Sequence, residues 1–281
     1  MTQTAGIVLV VLLAWFVFSG TWENKIIFHP SIYPDGMWNP ETYGLPVEDV
    51  HFQSDDGVKL HGWFVKGEGA DDRNERSTLL WFHGNAGNLS HRLDKILLLR
   101  KLGLNVFIFD YRGYGKSEGQ PDEQGLYHDS IAAYHTLVES RNVRPETLFL
   151  FGQSLGGACA VEVALQHPVA GLILEATFTS VEEMAELMFP VLPVRFLVHS
   201  KFNSIDKVPL LSIPKLFIHG SQDSIVPFSM GRKLFDAAKE PKEFLEILNA
   251  DHNDNYIVGG EGYFHALVRF VRKHHKNHSE E

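Results

Sequence analysis

Short apolar runs alternate with longer amphipathic stretches from about residue 78 onward. The apolar runs are uncharged or nearly so and predict strands, which cover residues 78–82, 105–110, 147–151, 171–176, 215–220 and 243–248. The stretches between and after them predict helices, which cover about residues 90–102, 122–140, 155–166, 229–239 and 261–274. Continuous apolar strands separated by helices are typical of a parallel sheet that is buried on both faces.

Two further features complete the predicted fold. Alternating runs on either side of Asp55-Asp56-Gly57 predict a β-hairpin, which would add antiparallel strands at one edge of the sheet. The interval of about 177–213 is too long and too apolar for a plain connection and predicts a small helical lid insertion, although an ordinary crossover helix with ragged loops is the alternative. We therefore expect an α/β fold with a mostly parallel central sheet, helices on both faces and an N-terminal antiparallel hairpin.

The N-terminal segment differs in kind, because no side chain from Met1 to Trp22 is charged. This length suits a bilayer-spanning helix, and we predict an anchor over residues 1–22 followed by a catalytic domain over 23–281. A cleavable signal peptide is the alternative, but the segment has no Lys or Arg before its apolar run and offers a poor small-x-small cleavage pattern. Lys25 favours the cytoplasmic side for the domain by the positive-inside rule.

Composition excludes several classes of protein. The chain has 281 residues and a formal net charge of −10, and no block of Lys or Arg indicates nucleic-acid binding. One cysteine, Cys159, excludes an internal disulfide framework and a Cys-rich zinc site, and we expect it to be a small buried apolar residue.

The stretch Gly152-Gln153-Ser154-Leu155-Gly156 joins a predicted strand to a predicted helix. A tight turn that needs small residues is one interpretation, but strand, turn and helix are the context that a G-x-S-x-G nucleophile requires. The turn would hold Ser154 in a strained conformation, and glycines at 152 and 156 would allow strand and helix to approach. We expect Ser154 to be a nucleophile at a helix N-terminus.

A serine nucleophile needs a base and an acid, which in this context follow it in the order acid, then histidine. Asp223 follows the strand at 215–220, and His252 follows the strand at 243–248, so both lie where the sites of open α/β sheets assemble. A turn aspartate and a surface histidine are the structural alternatives. Glu175 and Asp254 remain rival candidates for the acid.

The loop after the first parallel strand, His83-Gly84-Asn85-Ala86, is the candidate for an oxyanion hole. Backbone N–H groups of Asn85, or of Ala86 as second choice, and of Leu155 could converge on one oxygen. We expect His83 to lock this loop. Asp110 and Arg112 of the next loop are expected to brace the site without being catalytic.

These motifs together resemble the α/β-hydrolase superfamily. The motifs are H-G-N-A-G, D-Y-R-G-Y-G-x-S, G-Q-S-L-G-G, H-G-x-x-D-x-x-V-P and D-H-N-D. More closely, the chain is similar over roughly residues 22–273 to membrane-anchored α/β-hydrolase-domain (ABHD-type) serine hydrolases and their bacterial and fungal relatives. The resemblance implies a nucleophile, acid and base at Ser154, Asp223 and His252. Some relatives remove fatty acyl groups from proteins and others cleave lipid esters. The chain lacks the N-terminal cysteine cluster of some protein-depalmitoylating members, which weakens the transfer of their substrate.

The sequence thus predicts a membrane-anchored serine hydrolase that cleaves carboxylic esters or thioesters of fatty acyl groups through an acyl-enzyme. Its partners would be a lipid or acylated-protein substrate and the membrane, with no nucleic acid, cofactor or metal. A peptidase or a small-molecule esterase is the alternative within enzymes. A non-catalytic binding protein on a hydrolase scaffold is the alternative outside them.

Overall fold

A computed structural model describes residues 21–69, 76–191 and 198–275, without the side chains of residues 21 and 22. In chain order the strands are β1 His29–Pro30, β2 Glu48–Gln53, β3 Lys59–Val65, β4 Thr78–Phe82, β5 Ala86–Gly87, β6 Asn105–Asp110, β7 Leu148–Gln153, β8 Gly171–Glu175, β9 Lys215–Gly220 and β10 Lys242–Ile247. The helices are α1 Thr21–Ile27, α2 Leu93–Lys101, α3 Glu123–His135, α4 Leu155–Gln166, α5 Val181–Met188, α6 Ser204–Lys207, α7 Phe228–Ala237 and α8 Asn255–His274.

Within the described ranges, eight strands form the central sheet in the order β10-β9-β8-β7-β4-β6-β3-β2. All neighbouring pairs from β10 to β6 are parallel, whereas β3 pairs antiparallel with both β6 and β2. The predicted mostly parallel sheet and its antiparallel edge hairpin are therefore confirmed. A separate two-stranded ladder joins β1 to β5, so the chain that follows α1 is paired with the loop after β4.

Two core clusters cover the two faces of the sheet, as continuous apolar strands predict. One cluster includes Leu126 of α3, Ala158 of α4 and Leu234 of α7. The other includes Ile96 of α2 and Leu267 of α8. Helices on both faces leave the carboxyl ends of the parallel strands as the edge where connecting loops can form a site.

Most predicted strands and helices match the observed bounds to within one or two residues. The helix predicted over about 122–140 ends as an α-helix at His135, where a π-helical turn over Thr136–Ser140 continues it, and the last helix is the main difference. It begins at Asn255 rather than at 261. Gly260 takes a φ of 48° inside it, so two helical pieces meet at a kink. The glycines at 259, 260 and 262 weaken the helical pattern there, so the sequence does not predict the first turns of α8.

The predicted anchor over residues 1–22 lies outside the described residues except for its last two. Across the ranges that the structure covers, no helix is both long enough and apolar enough to cross a bilayer. The first described element is α1, a seven-residue helix.

The interval predicted as a lid contains α5, α6 and a single 3₁₀ turn over Val208–Leu210, apart from residues 192–197, which are not described. Ser180 caps α5, because its Oγ accepts from the amide of Glu183 at 3.1 Å. The two ends of the interval are joined, since Val181 N–H donates to Lys201 O at 2.9 Å and Ser204 N–H donates to Thr179 O at 2.9 Å.

Candidate active site

Ser154 occupies a sharp turn between β7 and α4. Its φ of 51° and ψ of −119° lie in a region that is costly for a residue with a Cβ. Its amide donates to the carbonyl of Glu175 at 2.9 Å, and its carbonyl accepts from Gly157 N–H at 3.0 Å. The strained conformation expected for this serine is present, and hydrogen bonds to two neighbouring elements hold it.

The glycines on either side of Ser154 allow a very close approach of backbones. A Cβ at Gly156 would lie 2.0 Å from the carbonyl oxygen of Phe82, and one at Gly152 would lie 2.5 Å from the Cα of Gly157. Backbone atoms cannot move aside as the end of a flexible side chain can. The turn therefore requires glycine at both positions, for the reason that the sequence suggests.

The structure brings His252 between Ser154 and Asp223. Its Nε2 lies 3.0 Å from Ser154 Oγ, and its Nδ1 lies 2.8 Å from Asp223 Oδ2. All three residues are buried, at 8%, 5% and 9% exposure for Ser154, His252 and Asp223. Three residues that are far apart in the sequence thus form one continuous chain of hydrogen bonds.

Asp223 is held ionised by its surroundings. Burial raises its pKa, but hydrogen bonds from His219, His252 and the amide of Val226 outweigh burial and hold the pKa well below its usual range. Its Oδ1 accepts from the amides of Ile225 and Val226 at 3.0 and 2.8 Å.

The ionised carboxylate fixes the tautomer of His252. A carboxylate can only accept, so the proton between the two residues is on His252 Nδ1. Nε2 then has a free lone pair and accepts from the hydroxyl of Ser154. The arrangement can remove a proton from Ser154 Oγ as the oxygen attacks an electrophile.

The two backbone amides predicted for an oxyanion hole have no acceptor among the described residues, and both residues line the same cavity as Ser154. Leu155 is the first residue of α4, where helical amides lack intrahelical partners. The loop that carries Asn85 is fixed on several sides, because Asn85 O accepts from His29 N–H at 3.0 Å and from the Tyr114 hydroxyl at 2.8 Å. Ala86, the second choice, is in β5 and paired with β1.

The residues expected to brace these loops are buried and bonded. His83 Nδ1 donates to Gly84 O at 2.7 Å, and its Nε2 is 3.5 Å from Asp110. Asp110 Oδ1 accepts from the amide of Leu89 at 2.7 Å. Arg112 Nη2 lies 2.7 Å from Asp129 Oδ1.

Neither rival acid contacts the imidazole of His252 in the described chain. Both oxygens of Glu175 accept from Lys95 Nζ at 2.8 Å, and one also accepts from the Tyr263 hydroxyl. Tyr263 lies on α8 and belongs to the core cluster that contains residues of α2 and α8. Asp254 instead accepts from the amide of Asp251 at 2.7 Å.

A cavity of about 280 Å³ opens beside Ser154. Most of the described lining is apolar, and four of its residues carry polar side chains: Glu23, His29, Asn85 and Ser154. The apolar lining residues are Ile26, Ile27, Leu155, Phe178, Val181, Met184, Ala185, Met188, Phe189, Val198, Ile225 and Val226. The helix α5 and the helix α1 both contribute to this wall. In the described part of the chain, no group of three or more His, Cys, Asp or Glu side chains is arranged to hold a metal ion.

Three residues of the site are not predicted by the sequence. His219 Nε2 donates to Val226 O at 2.9 Å and lies 3.2 Å from Asp223 Oδ2, so it supports the acid. Asn255 Nδ2 donates to His252 O at 3.3 Å. Glu23 lines the cavity. The position of His219, four residues before Asp223 at the end of a buried strand, is the one local signal from which such a supporting role could be predicted.

Comparison with known proteins identifies the family of this chain. A family described as "Serine aminopeptidase, S33" matches residues 73–204. The chain is 34% identical to the Arabidopsis thaliana protein "Alpha/beta hydrolase domain-containing protein WAV2" over 94% of this chain and 92% of the relative. It belongs to the α/β-hydrolase superfamily.

Other relatives and solved structures extend this placement. "Protein bem46" of Schizosaccharomyces pombe is 34% identical over 90% of this chain and 87% of its own length. An esterase from Pyrococcus furiosus superposes with a TM-score of 0.70 at 20% identity, covering 88% of this chain and 97% of its own. At that identity the structural likeness shows the α/β-hydrolase fold alone.

Proposed function

We propose that the protein is a serine hydrolase that cleaves carboxylic esters or thioesters of fatty acyl groups. The observation that carries the proposal is His252, whose two ring nitrogens lie 3.0 Å from Ser154 Oγ and 2.8 Å from Asp223 Oδ2 beside an apolar cavity. A nucleophile, a base, an acid and two free amides are the parts that acyl transfer requires.

The proposed reaction has two halves. Ser154 Oγ attacks the acyl carbon while His252 Nε2 takes its proton, and Asp223 stabilises the imidazolium that results. The amides of Asn85 and Leu155 donate to the oxyanion, which collapses as His252 gives its proton to the leaving oxygen or sulfur. Water then attacks the acyl carbon of the acyl-enzyme while His252 takes its proton and returns it to Ser154 Oγ. This step releases the fatty acid and restores the Ser154 hydroxyl.

The apolar lining supports a fatty acyl chain as the bound group. Twelve of the sixteen lining residues that the structure describes are apolar, and each methylene buried there would contribute up to about 0.8 kcal/mol. Several cavity residues also reach the surface, since Met188 is 60%, Ile225 54% and Ile26 43% exposed. An apolar rim of this kind suits a substrate that arrives from a lipid phase.

We also propose that residues 1–22 anchor the protein in a membrane. The support is the uncharged sequence of that segment, which leads directly into α1 at the wall of the cavity. The full chain should remain in the membrane pellet after carbonate extraction. Release into the supernatant would contradict the anchor and leave the hydrolase proposal intact.

A fluorophosphonate probe tests the chemistry. We expect it to label the wild type at Ser154 and to leave Ser154→Ala unlabelled, and ester turnover should fall by several powers of ten in that variant. Circular dichroism should show that Ser154→Ala is folded. Labelling or near-normal turnover in Ser154→Ala would overturn the mechanism, and an unlabelled wild type would favour a non-catalytic scaffold.

A panel of p-nitrophenyl esters from acetate to dodecanoate, with matched thioesters, tests the substrate class. The matching "Serine aminopeptidase, S33" family makes a peptidase the second candidate, so the panel includes aminoacyl naphthylamides. We expect kcat/KM to rise with acyl length. Faster turnover of the amides would favour the peptidase, and preference for acetate would favour a small-molecule esterase.

A further inference from the structure

Two carboxylates accept hydrogen bonds from four consecutive backbone amides, those of residues 199–202, in the second half of the interval that follows β8. Glu23 accepts from the amides of His199 at 2.8 Å and Ser200 at 2.6 Å. Glu123 accepts from the amides of Lys201 at 2.6 Å and Phe202 at 2.7 Å. These four contacts fix residues 199–202 against α1 on one side and the first turn of α3 on the other.

The two carboxylates differ in where they lie. Glu23 is 3% exposed and lines the cavity that contains Ser154, whereas Glu123 is outside that lining. Both oxygens of Glu23 are used, because Oε1 accepts from Ser200 and Oε2 accepts from His199, whose ring Nδ1 is also 3.2 Å away. A buried carboxylate in an apolar wall is stable there because N–H donors surround it.

Glu23 connects two parts of the cavity wall. Ile26 and Ile27 follow it on α1, and Val198 precedes the amides that it holds; all three line the cavity. The same helix end touches the candidate oxyanion loop, since Asn85 Nδ2 donates to Ile27 O at 2.7 Å. A change in the tie at Glu23 would therefore shift the wall beside the reacting serine.

We infer that Glu23 is a positioning residue that sets the acyl-chain wall of the cavity and so determines selectivity for long acyl chains. This inference rests on the proposed function. Loss of one Glu23 contact would leave the amide of His199 or Ser200 unpaired behind the cavity wall. This is unfavourable when an acyl chain fills the cavity and tolerable when a short acyl group leaves room for water.

The test compares Glu23→Gln with Glu123→Gln in the full chain in detergent micelles. Glutamine replaces one acceptor oxygen by an NH₂ group, which cannot accept from an amide. Each variant therefore loses at least one contact to residues 199–202. Glu23 lies at the cavity, where the ring of His199 also contacts it, whereas Glu123 lies outside the cavity lining and also accepts from the Tyr127 hydroxyl at 2.9 Å. The readout is the ratio of kcat/KM for p-nitrophenyl dodecanoate to that for p-nitrophenyl butanoate.

We expect Glu23→Gln to lower this ratio by roughly tenfold, through a higher KM for dodecanoate, the size of effect of losing a hydrogen bond to a charged group. Glu123→Gln should leave the ratio unchanged. Glu23→Asp, which keeps both acceptor oxygens, should recover part of the loss and provides a second variant if Glu23→Gln does not fold. An unchanged ratio in Glu23→Gln, or an equal fall in Glu123→Gln, overturns the inference.

A binding measurement separates this inference from the proposed function. In a Ser154→Ala background, a fluorescent dodecanoyl ester should bind with a Kd that rises roughly tenfold on adding Glu23→Gln and does not change on adding Glu123→Gln. A wild type without turnover or labelling would refute the hydrolase proposal. A Kd that Glu23→Gln does not change would refute the role of Glu23.

Discussion

The backbone amide of Ser154 donates to the carbonyl oxygen of Glu175 at 2.9 Å, while the Glu175 carboxylate binds Lys95 and Tyr263 in the core. The main chain of Glu175 therefore holds the backbone of the nucleophile. Its side chain instead binds residues of α2 and α8, which cover one face of the sheet. The acid that faces His252 is Asp223, at 2.8 Å. The two carboxylates can be distinguished by experiment, since one should govern rate and the other stability.

Asp223→Asn should lower kcat by about 10⁴-fold, because an amide cannot fix the His252 tautomer or stabilise the imidazolium. Glu175→Gln should lower kcat far less when rates are normalised to fluorophosphonate-reactive sites. Side-by-side kinetics with the same ester check this. A dead Glu175→Gln beside an active Asp223→Asn would reverse the assignment.

Glu175→Gln should instead lower the free energy of unfolding by about 3–5 kcal/mol, because it leaves the buried ammonium of Lys95 without its counter-ion. Adding Lys95→Met to it should recover part of the loss. Urea unfolding gives the free energies. The control is Glu118→Gln, which breaks an exposed pair with Lys59 at 3.5 Å and should cost less than about 1 kcal/mol. Equal losses in the two single variants would argue against a buried ion pair.

Asp223 should add a pH-dependent component to stability. Its folded pKa is depressed, because hydrogen bonds from His219 and His252 outweigh the effect of burial. A depressed carboxyl pKa stabilises the fold fully above the unfolded value of about 3.9 and progressively less as pH falls below it. The difference in unfolding free energy between wild type and Asp223→Asn should thus shrink as the pH falls from 5 towards 3. A difference that grows between pH 5 and pH 3 would contradict the depressed pKa.

Gly156→Ala should abolish labelling by a fluorophosphonate and destabilise the fold, because its Cβ would meet the carbonyl oxygen of Phe82 at 2.0 Å. Gly262→Ala is the matched control in α8, where a Cβ would meet nothing within 4 Å. That variant should keep full labelling and gain up to about 1 kcal/mol from helix propensity. Normal labelling of Gly156→Ala would show that the turn tolerates a side chain.

Met184→Gln should weaken long-chain esters selectively, because Met184 lines the cavity from α5. We expect kcat/KM for dodecanoate to fall at least tenfold, which is the cost of losing about two buried methylenes, and butanoate turnover to fall less. Leu187→Gln on the same helix lies outside the cavity lining and is 54% exposed, so it should change neither substrate. Equal loss for both esters in Met184→Gln would indicate general disruption of the wall.

The strands, and the positions of Ser154, Asp223 and His252, could be predicted because their signals lie in short stretches of sequence. Buried parallel strands are apolar along their whole length, as in 105–110 and 215–220, and Ser154 lies in a motif whose glycines have a steric cause. The order of Asp223 and His252 after it follows from strand ends that share one edge of the sheet. These inferences require only the residue pattern and the order of the strands along the chain.

Other supporting residues, such as Glu23, could not be predicted because their partners are distant in the chain. Glu23 binds amides 176 and 177 positions away, and nothing near it in the sequence marks those partners. From the sequence alone Glu175 remains a rival acid, because a fully apolar strand does not reveal on which face of the sheet its last side chain lies. Pairing with Lys95, 80 positions earlier, decides that face.

The order of the central sheet has a consequence for how turnover appears during refolding. Ser154 follows β7, Asp223 follows β9 and His252 follows β10, with β8 between the first two. Contacts spanning 98 and 29 positions must close before a proton can pass from the serine to the histidine. Helices form from local contacts, whereas such pairings close late. Far-ultraviolet circular dichroism should therefore regain most of its native signal while the protein is still inert towards a fluorophosphonate, and labelling would mark the moment when four adjacent strands have aligned.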